Sequence, residues 1–110
     1  MESFEMDKFL DYIRPEDKGL LMEMKAYAIE HNVPIVRNEM KQFLETLVMI
    51  YKPKRILEIG TAIGYSSIVM TRSLEKYYKT LDGVEVISLE RSDKMYAKAV
   101  EHIDKAGLND

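Results

Sequence analysis

Residues 56–67 read ILEIGTAIGYSS, a short apolar run that leads into two glycines. Pro53 precedes this run and Gly60 ends it, which is typical of a buried parallel β-strand rather than of a helix. Beyond the second glycine, apolar residues recur at helical spacing from Tyr65 to about Leu74. The stretch therefore predicts a strand, a glycine-containing turn and a helix.

A second strand is predicted downstream at residues 84–90, VEVISLE, which are rich in branched side chains. Ser92 or Asp93 can cap a last helix, in which His102 is expected on the outer face. The inner face of that helix is predicted to consist of Tyr96, Ala99, Val100 and Ile103. Strand, helix, strand and helix in this order predict a βαβα unit with parallel strands, the first of them covered on both faces.

Three helices are predicted before this unit. The first covers about Ser3 to Arg14, the second follows a cap at Asp17, and the third runs from the cap Asn38 to Tyr51. The fold class is therefore α/β, with three helices followed by a βαβα unit. Open parallel sheets usually have about 4–6 strands, so two strands leave polar edges, and we expect a single, truncated domain.

Composition excludes several classes of protein. The 110 residues are 46% hydrophobic and 32% charged, as in one folded domain. The absence of cysteine excludes disulfides and thiolate chemistry, and the net charge of -3 gives no long-range attraction for nucleic acid. No apolar run approaches the length of a membrane span, and the N-terminal residues do not resemble a signal peptide, so we expect no membrane partner and a cytoplasmic location.

The glycine turn is predicted to hold a ligand, because glycine permits close approach to the backbone and a helix start offers unpaired N–H groups. A P-loop for a nucleoside triphosphate is disfavoured, since only three residues separate Gly60 and Gly64 and no lysine follows Gly64. A dinucleotide fingerprint is weakened by Ala62, which stands where the second glycine would fall, and by Tyr65, which stands where the third would. A nicotinamide-dependent oxidoreductase fragment therefore stays open as an alternative.

An acid lies at or near the end of each predicted strand. Glu58 lies near the end of the first strand and Glu90 ends the second, so both carboxylates are expected with the turn in one crevice at the carboxyl edge of the sheet. Such a carboxylate can accept hydrogen bonds from ribose hydroxyls, and negative charge near the turn suits a cationic ligand. A sulfonium cofactor fits this pattern.

The motif EIGTAIGYS at residues 58–66 resembles the first motif of the class I S-adenosylmethionine-dependent methyltransferases. With the preceding VPIVRNEMKQFLETLVMIYKPKRIL, it is similar to the metal-dependent catechol and caffeoyl-CoA O-methyltransferase-like family, in the bacterial branch that includes tRNA 5-hydroxyuridine methyltransferases. The resemblance implies the N-terminal part of a Rossmann-like methyltransferase fold. Residues 1–54 would then form a helical cover or lid region, and residues 55–110 the first βαβα unit with half of the cofactor site.

The resemblance also implies roles for single residues. The turn would lie under the methionine portion of the cofactor, Ser66 would hydrogen-bond that portion, and Glu90 would bind the ribose hydroxyls. Val36 would contact the cofactor from the lid side, and Glu58 matches the acid at the strand end. The full set of implied cofactor-binding residues is Val36, Glu58, Gly60, Ala62, Gly64, Ser66 and Glu90.

The function implied for an intact enzyme is methyl transfer from S-adenosylmethionine to a hydroxyl of a small catechol-like molecule or of 5-hydroxyuridine in tRNA. In this family a divalent metal, magnesium or similar, is held by residues of later strands, so no catalytic or metal-binding residue is expected in this chain. We expect the chain alone to be inactive and to form a homodimer. The alternative from another class is a truncated, non-catalytic module that binds the cofactor or associates with itself.

Overall fold

The structure is a computed structural model that describes residues 19–108. The predicted helix at Ser3–Arg14 and the predicted cap at Asp17 lie outside this range. The described elements, in chain order, are α1 (Leu20–Glu30), α2 (Asn38–Tyr51), β1 (Arg55–Ile59), α3 (Tyr65–Tyr78), β2 (Glu85–Leu89) and α4 (Asp93–Lys105). The order confirms the predicted α/β architecture over this range, and none of these helices is long and apolar enough to cross a membrane.

The two strands are parallel, as predicted, and pair in register from Arg55 opposite Glu85 to Ile59 opposite Leu89. Both strands therefore end at the same edge of the sheet. The chain leaving β1 stays attached to β2 there, because the N–H groups of Gly60 and Thr61 both donate to the Leu89 carbonyl oxygen, at 2.8 and 3.1 Å. This register places the turn after β1 beside the residue that follows β2.

One face of the sheet is covered by α2 and α3. Val48 of α2 and Leu74 of α3 belong to a cluster that packs against Ile56 and Val86, the residues of β1 and β2 that point to this side. A fully buried leucine contributes about 1.5–3 kcal/mol, so this contact fixes the helices on the sheet. The position of α3 over the strands follows from it.

The opposite face is uncovered in the described part of the chain, so the prediction that β1 is covered on both faces is wrong here. Leu57 is 63% exposed and Ile59 is 77% exposed. Their partners across the strands, Ile87 and Leu89, are also exposed. The reason is that the helices packed on this sheet, α2 and α3, both lie on the other side.

A second core joins α1 to the turn between β1 and α3. Met24, Ile63 and Ile68 are its most deeply buried members, and side chains of α4, including Met95 and Ile103, pack against it. Because Ile63 lies within the turn, its burial in this core fixes the position of the turn. The backbone around Ile63 is consequently part of the packed interior rather than of a surface loop.

The face that α4 turns to the core differs from the prediction. Tyr96 is 57% exposed, so its placement on the inner face is wrong, and His102 is 4% exposed, so its placement on the outer face is wrong as well. The inner stripe runs through Met95, Ala99 and His102, at steps of four and three residues. A pattern of apolar residues alone misses this stripe, because one of its members is polar.

Candidate functional site

The turn between β1 and α3 has an unusual backbone. Gly60, Ala62 and Gly64 all have positive φ angles, of 88°, 51° and 92°. The Gly64 N–H donates to the Thr61 carbonyl oxygen at 3.0 Å, and the Gly64 carbonyl accepts the first bond of α3, from Ile68 N at 3.0 Å. The chain therefore bends sharply at the start of the helix, and the N-terminus of a helix favours an anionic or strongly accepting ligand group.

The two glycines of the turn have different surroundings. A Cβ placed on Gly60 would meet no atom within 4 Å, whereas one on Gly64 would lie 3.5 Å from the Cα and carbonyl oxygen of Ala99 in α4. Glycine at position 60 thus leaves open space above the backbone, and glycine at position 64 permits a helix to pack closely against it. Only the first of these positions is free for the approach of a ligand.

Ala62 adopts the left-handed conformation that usually favours glycine, with φ of 51°. An L-residue in this region carries a cost of roughly 1–2 kcal/mol. The backbone at Ala62 therefore has the conformation that a glycine would adopt there. The sequence pattern alone did not show this. Its N–H donates to Oε1 of Glu90 at 2.7 Å, a bond between residues 28 positions apart.

The Glu90 side chain contacts the turn, as the parallel register predicts. Its Oε1 accepts the bond from Ala62, and its Oε2 accepts one from the Ser92 N–H at 2.9 Å. The N–H groups of Ser92 and Ala62 stabilise the charged form and hold the pKa of the Glu90 carboxyl below its ordinary value. The structure thus brings together the turn and the carboxylate that the sequence placed at the end of the second strand.

The Glu58 carboxylate is bound by three hydroxyl groups. Ser66 and Ser67 at the start of α3 donate to its two oxygens, and Ser88 of β2 donates to Oε1 at 3.1 Å. The hydroxyl oxygens of Ser67 and Ser88 lie 2.7 Å apart, so one of these hydroxyls can share its hydrogen between Glu58 and the other serine. Glu58 therefore connects β1, β2 and the beginning of α3. Its negative charge, which was expected to face a ligand, is instead stabilised by these hydroxyl donors.

Sequence reasoning included Ser66 in the site but missed Ser67 and Ser88. The signal for Ser88 was present in the register, since Ser88 is the cross-strand partner of Glu58. The signal for Ser67 was its position one residue after Ser66, at the start of the helix that follows the turn. The pairing of β1 with β2 brings the hydroxyl groups of Ser67 and Ser88 to the Glu58 carboxylate.

Val36 lies apart from the bonds around the turn. It is half-buried in the segment between α1 and α2, where it lines a cleft with Val33 and Asn38. It also packs against the cluster that contains Ile63 and Tyr65. The structure places Val36 on the core that supports the turn, and a contact with a cofactor stays a prediction.

Two further polar groups of the turn region were not in the predicted site. The Thr61 Oγ1 is buried and has no hydrogen-bond partner among the described residues. His102 Nδ1 lies 2.7 Å from the Ile63 carbonyl oxygen. Within residues 19–108, no group of three acidic, histidine or cysteine side chains is arranged to hold a metal ion.

Comparison with known proteins identifies this arrangement. The sequence profile of the O-methyltransferase family matches residues 13–110. The chain belongs to the O-methyltransferase family. A catechol O-methyltransferase of Niastella koreensis is 37% identical over 100 residues, a match that covers 89% of this chain and 42% of that protein.

Solved structures of the family share the fold. The O-methyltransferase of Bacillus cereus, in complex with SAH, matches with a TM-score of 0.78 and 32% identity, over 96% of this chain and 46% of that one. A methyltransferase of Geobacter sulfurreducens has a TM-score of 0.82 at 22% identity, over 98% of this chain and 53% of that one, and shows the fold alone. These matches confirm the predicted N-terminal part of a Rossmann-like methyltransferase fold. The chain spans less than half the length of the Niastella and Bacillus proteins.

Proposed function

We propose that this chain supplies the S-adenosylmethionine-binding half of an O-methyltransferase. The observation that carries the proposal is the Glu90 carboxylate bound to the turn through the Ala62 N–H at 2.7 Å. It places an acid, a sharply bent glycine turn and the start of a helix at one edge of a parallel sheet, the position where open α/β sheets bind ligands. The SAH-bound relative from Bacillus cereus, at 32% identity, supports the same cofactor.

Glu90 is proposed to bind the ribose hydroxyls of the cofactor. A carboxylate offers about four acceptor positions, and the N–H groups of Ala62 and Ser92 occupy two of them. A further, weaker contact comes from the Arg91 N–H, and the remaining acceptor capacity is proposed to bind the ribose hydroxyls. The lowered pKa keeps this carboxyl charged at neutral pH, so it acts only as an acceptor there.

The turn is proposed to hold the methionine portion. Gly60 leaves the space above its Cα open, so a ligand can reach the backbone there. Ser66 donates its hydroxyl hydrogen to Glu58, which leaves the oxygen lone pairs free to accept a bond from an ammonium group. When bound, S-adenosylmethionine supplies a sulfonium methyl group as the electrophile. The residues of this chain bind and orient that group, while residues outside the chain would present the hydroxyl.

The acceptor is proposed to be a small catechol-like molecule, because the Niastella relative at 37% identity is a catechol O-methyltransferase. A hydroxyuridine in tRNA is the competing acceptor and an outcome of the test below. A divalent metal is proposed only for an intact enzyme, since residues 19–108 hold no group of side chains arranged to bind one. Cytoplasmic location and the division into a lid region and a βαβα unit at residue 54 stay predictions.

Calorimetric titration with S-adenosylhomocysteine tests the cofactor. Wild-type chain is expected to bind, and Glu90→Gln is expected to bind at least about tenfold more weakly, since the amide no longer accepts on both sides. Glu85→Gln is the matched control, because Glu85 lies at the opposite end of the same strand. Binding of NAD without S-adenosylhomocysteine would overturn the proposal in favour of an oxidoreductase fragment.

An activity assay tests the division of labour. The chain is incubated with S-adenosylmethionine, magnesium and either a catechol or tRNA that contains 5-hydroxyuridine. No methylated product above background is expected, because the chain supplies only the cofactor half. Product from either acceptor would show that the catalytic groups are present here and would identify the substrate class.

Self-association is the second candidate, favoured by the uncovered sheet face that contains Leu57, Ile59, Ile87 and Leu89. Four apolar side chains in register form a continuous surface beside unpaired strand edges, which are prone to pair with other chains. We propose that a second copy covers this face in a homodimer. Light scattering should give a dimer for wild type and a monomer for Leu89→Lys, with the exposed α1 variant Met22→Lys as control. A wild-type monomer at high concentration would refute this proposal.

A further inference from the structure

We propose that His102 is a positioning residue for the cofactor turn, defined as residues 60–64. The inference rests on the proposed function of that turn and extends it to a helix residue far from the motif. His102 acts through the backbone: its ring holds the buried Ile63 carbonyl and so fixes the peptide that follows Ala62 in the turn.

The geometry of His102 defines the bond. The side chain is 4% exposed, and its Nδ1 lies 2.7 Å from the Ile63 carbonyl oxygen. A carbonyl oxygen only accepts hydrogen bonds, so Nδ1 must carry the hydrogen. The structure therefore assigns the Nδ1–H form to this ring.

The Ile63 carbonyl depends on this donor. The backbone bonds that shape the turn end on the carbonyl oxygens of Thr61, Gly64 and Leu89 instead. Ile63 itself is fully buried, and a buried carbonyl without a donor loses its solvation with no replacement. His102 is consequently required to keep this peptide unit in its present orientation.

The bond completes a closed set of contacts around the turn. Glu90 joins Ala62 to Ser92 at the beginning of α4. Further along the same helix, Ala99 packs against Gly64 and His102 reaches the peptide before it. These contacts hold the turn at Ala62, Ile63 and Gly64, so loss of the bond from His102 to Ile63 is expected to change the angle at which the neighbouring Ala62 N–H meets Glu90.

The ring is also held from the side of α1. It forms a T-shaped contact with the Tyr27 ring, with centroids 6.0 Å apart and planes at 80°. Lys98 lies over the same tyrosine ring, 4.5 Å from its centroid. These contacts restrict rotation of the imidazole, so the donor stays directed at the turn.

The first test needs no ligand. Long-range ¹H–¹⁵N correlation of the imidazole nitrogens is expected to show hydrogen on Nδ1. A ring protonated only at Nε2 would overturn the proposal, because such a ring cannot donate to the Ile63 carbonyl.

The second test compares His102→Asn with His102→Leu. Asparagine keeps a donor nitrogen near the position of Nδ1, whereas leucine fills space without one. Relative to wild type, His102→Leu is expected to bind S-adenosylhomocysteine about tenfold more weakly and His102→Asn within about threefold. In His102→Leu the Ala62 amide is also expected to exchange with solvent faster.

A matched control separates positioning from loss of stability. Val48→Ala opens a cavity in the cluster under the sheet, away from the turn, and is expected to leave the dissociation constant and the Ala62 amide exchange unchanged at a temperature where it is folded. Equal affinity and equal exchange in wild type and His102→Leu would overturn the proposal. If wild type binds no S-adenosylhomocysteine, the proposed cofactor role fails, while the imidazole spectrum and the amide exchange still decide whether His102 holds the turn.

Discussion

Replacing Ala62 by glycine is expected to stabilise the protein. The alanine has φ of 51°, a region in which an L-residue carries a cost of roughly 1–2 kcal/mol. Glycine removes that cost but adds about 0.4–1 kcal/mol of entropy to the unfolded chain. The difference is a gain of about 0.5–1 kcal/mol in the free energy of unfolding. The N–H that meets Glu90 is retained in the variant.

The matched control is Ala97→Gly in the exposed part of α4. Ala97 lies inside a regular helix, where glycine costs about 1 kcal/mol relative to alanine. The same chemical change is therefore expected to have opposite signs at the two positions. Both variants remove one methyl group, which packs against the core cluster at Ala62 and is exposed at Ala97. Lost packing at Ala62 therefore acts against the expected gain, and a rise of the midpoint there can come only from the backbone conformation.

Urea denaturation followed by circular dichroism measures both variants. With a slope of about 1.5 kcal/mol/M, the midpoint should rise by about 0.5 M for Ala62→Gly and fall by a similar amount for Ala97→Gly. Slopes should be nearly unchanged, since each substitution removes only one methyl group. A fall of the midpoint in Ala62→Gly equal to that in the control would refute the assigned turn conformation.

Three further outcomes are expected. Glu58→Gln should lower the free energy of unfolding by about 1–3 kcal/mol, because an amide cannot accept from all three serine hydroxyls, whereas exposed Glu85→Gln should cost less than about 1 kcal/mol in the same urea assay. Wild type should be more stable than Glu90→Gln above pH 4.5, which is the ordinary pKa of that carboxyl. This difference should vanish as the pH falls through the lowered pKa of the folded state, as measured by urea denaturation at a series of pH values. Gly60→Ala and Gly64→Ala should each lose about 1–2 kcal/mol from their positive φ angles. In calorimetry, only Gly60→Ala should also weaken S-adenosylhomocysteine binding strongly, and equal effects of the two variants on affinity would contradict the open space assigned to Gly60.

The order and type of the described elements could be predicted because each depends on local pattern. The apolar run at residues 56–59, the branched run at 84–90 and the helical periodicity between them all match the observed β1, β2 and α3. The covering of the sheet could not be predicted from such patterns. A run of apolar residues in a strand implies burial on two faces but does not say whether both partners lie in the same chain.

The site was predicted in part. The register of parallel strands brings Glu90 to the turn, and that follows from chain order alone. The partners of Glu58 were missed, because Ser88 reaches it only through strand pairing over 30 residues. His102 was placed on the wrong face, since an apolar pattern assigns a histidine to solvent unless a buried acceptor is known.

The sequence by itself determined the alternation of elements, the bend at the two glycines and the acid that follows β2, because hydrophobic period and backbone freedom are properties of short segments. Only the tertiary structure decided which glycine is open to a ligand, why Ala62 can adopt a conformation typical of glycine, and which carbonyl oxygen accepts a hydrogen bond from His102. These outcomes depend on distances between segments separated by about 30 to 40 positions, as in the bonds from Glu90 to Ala62 and from His102 to Ile63. Such distances are set when helices pack on the sheet, and no local pattern contains them.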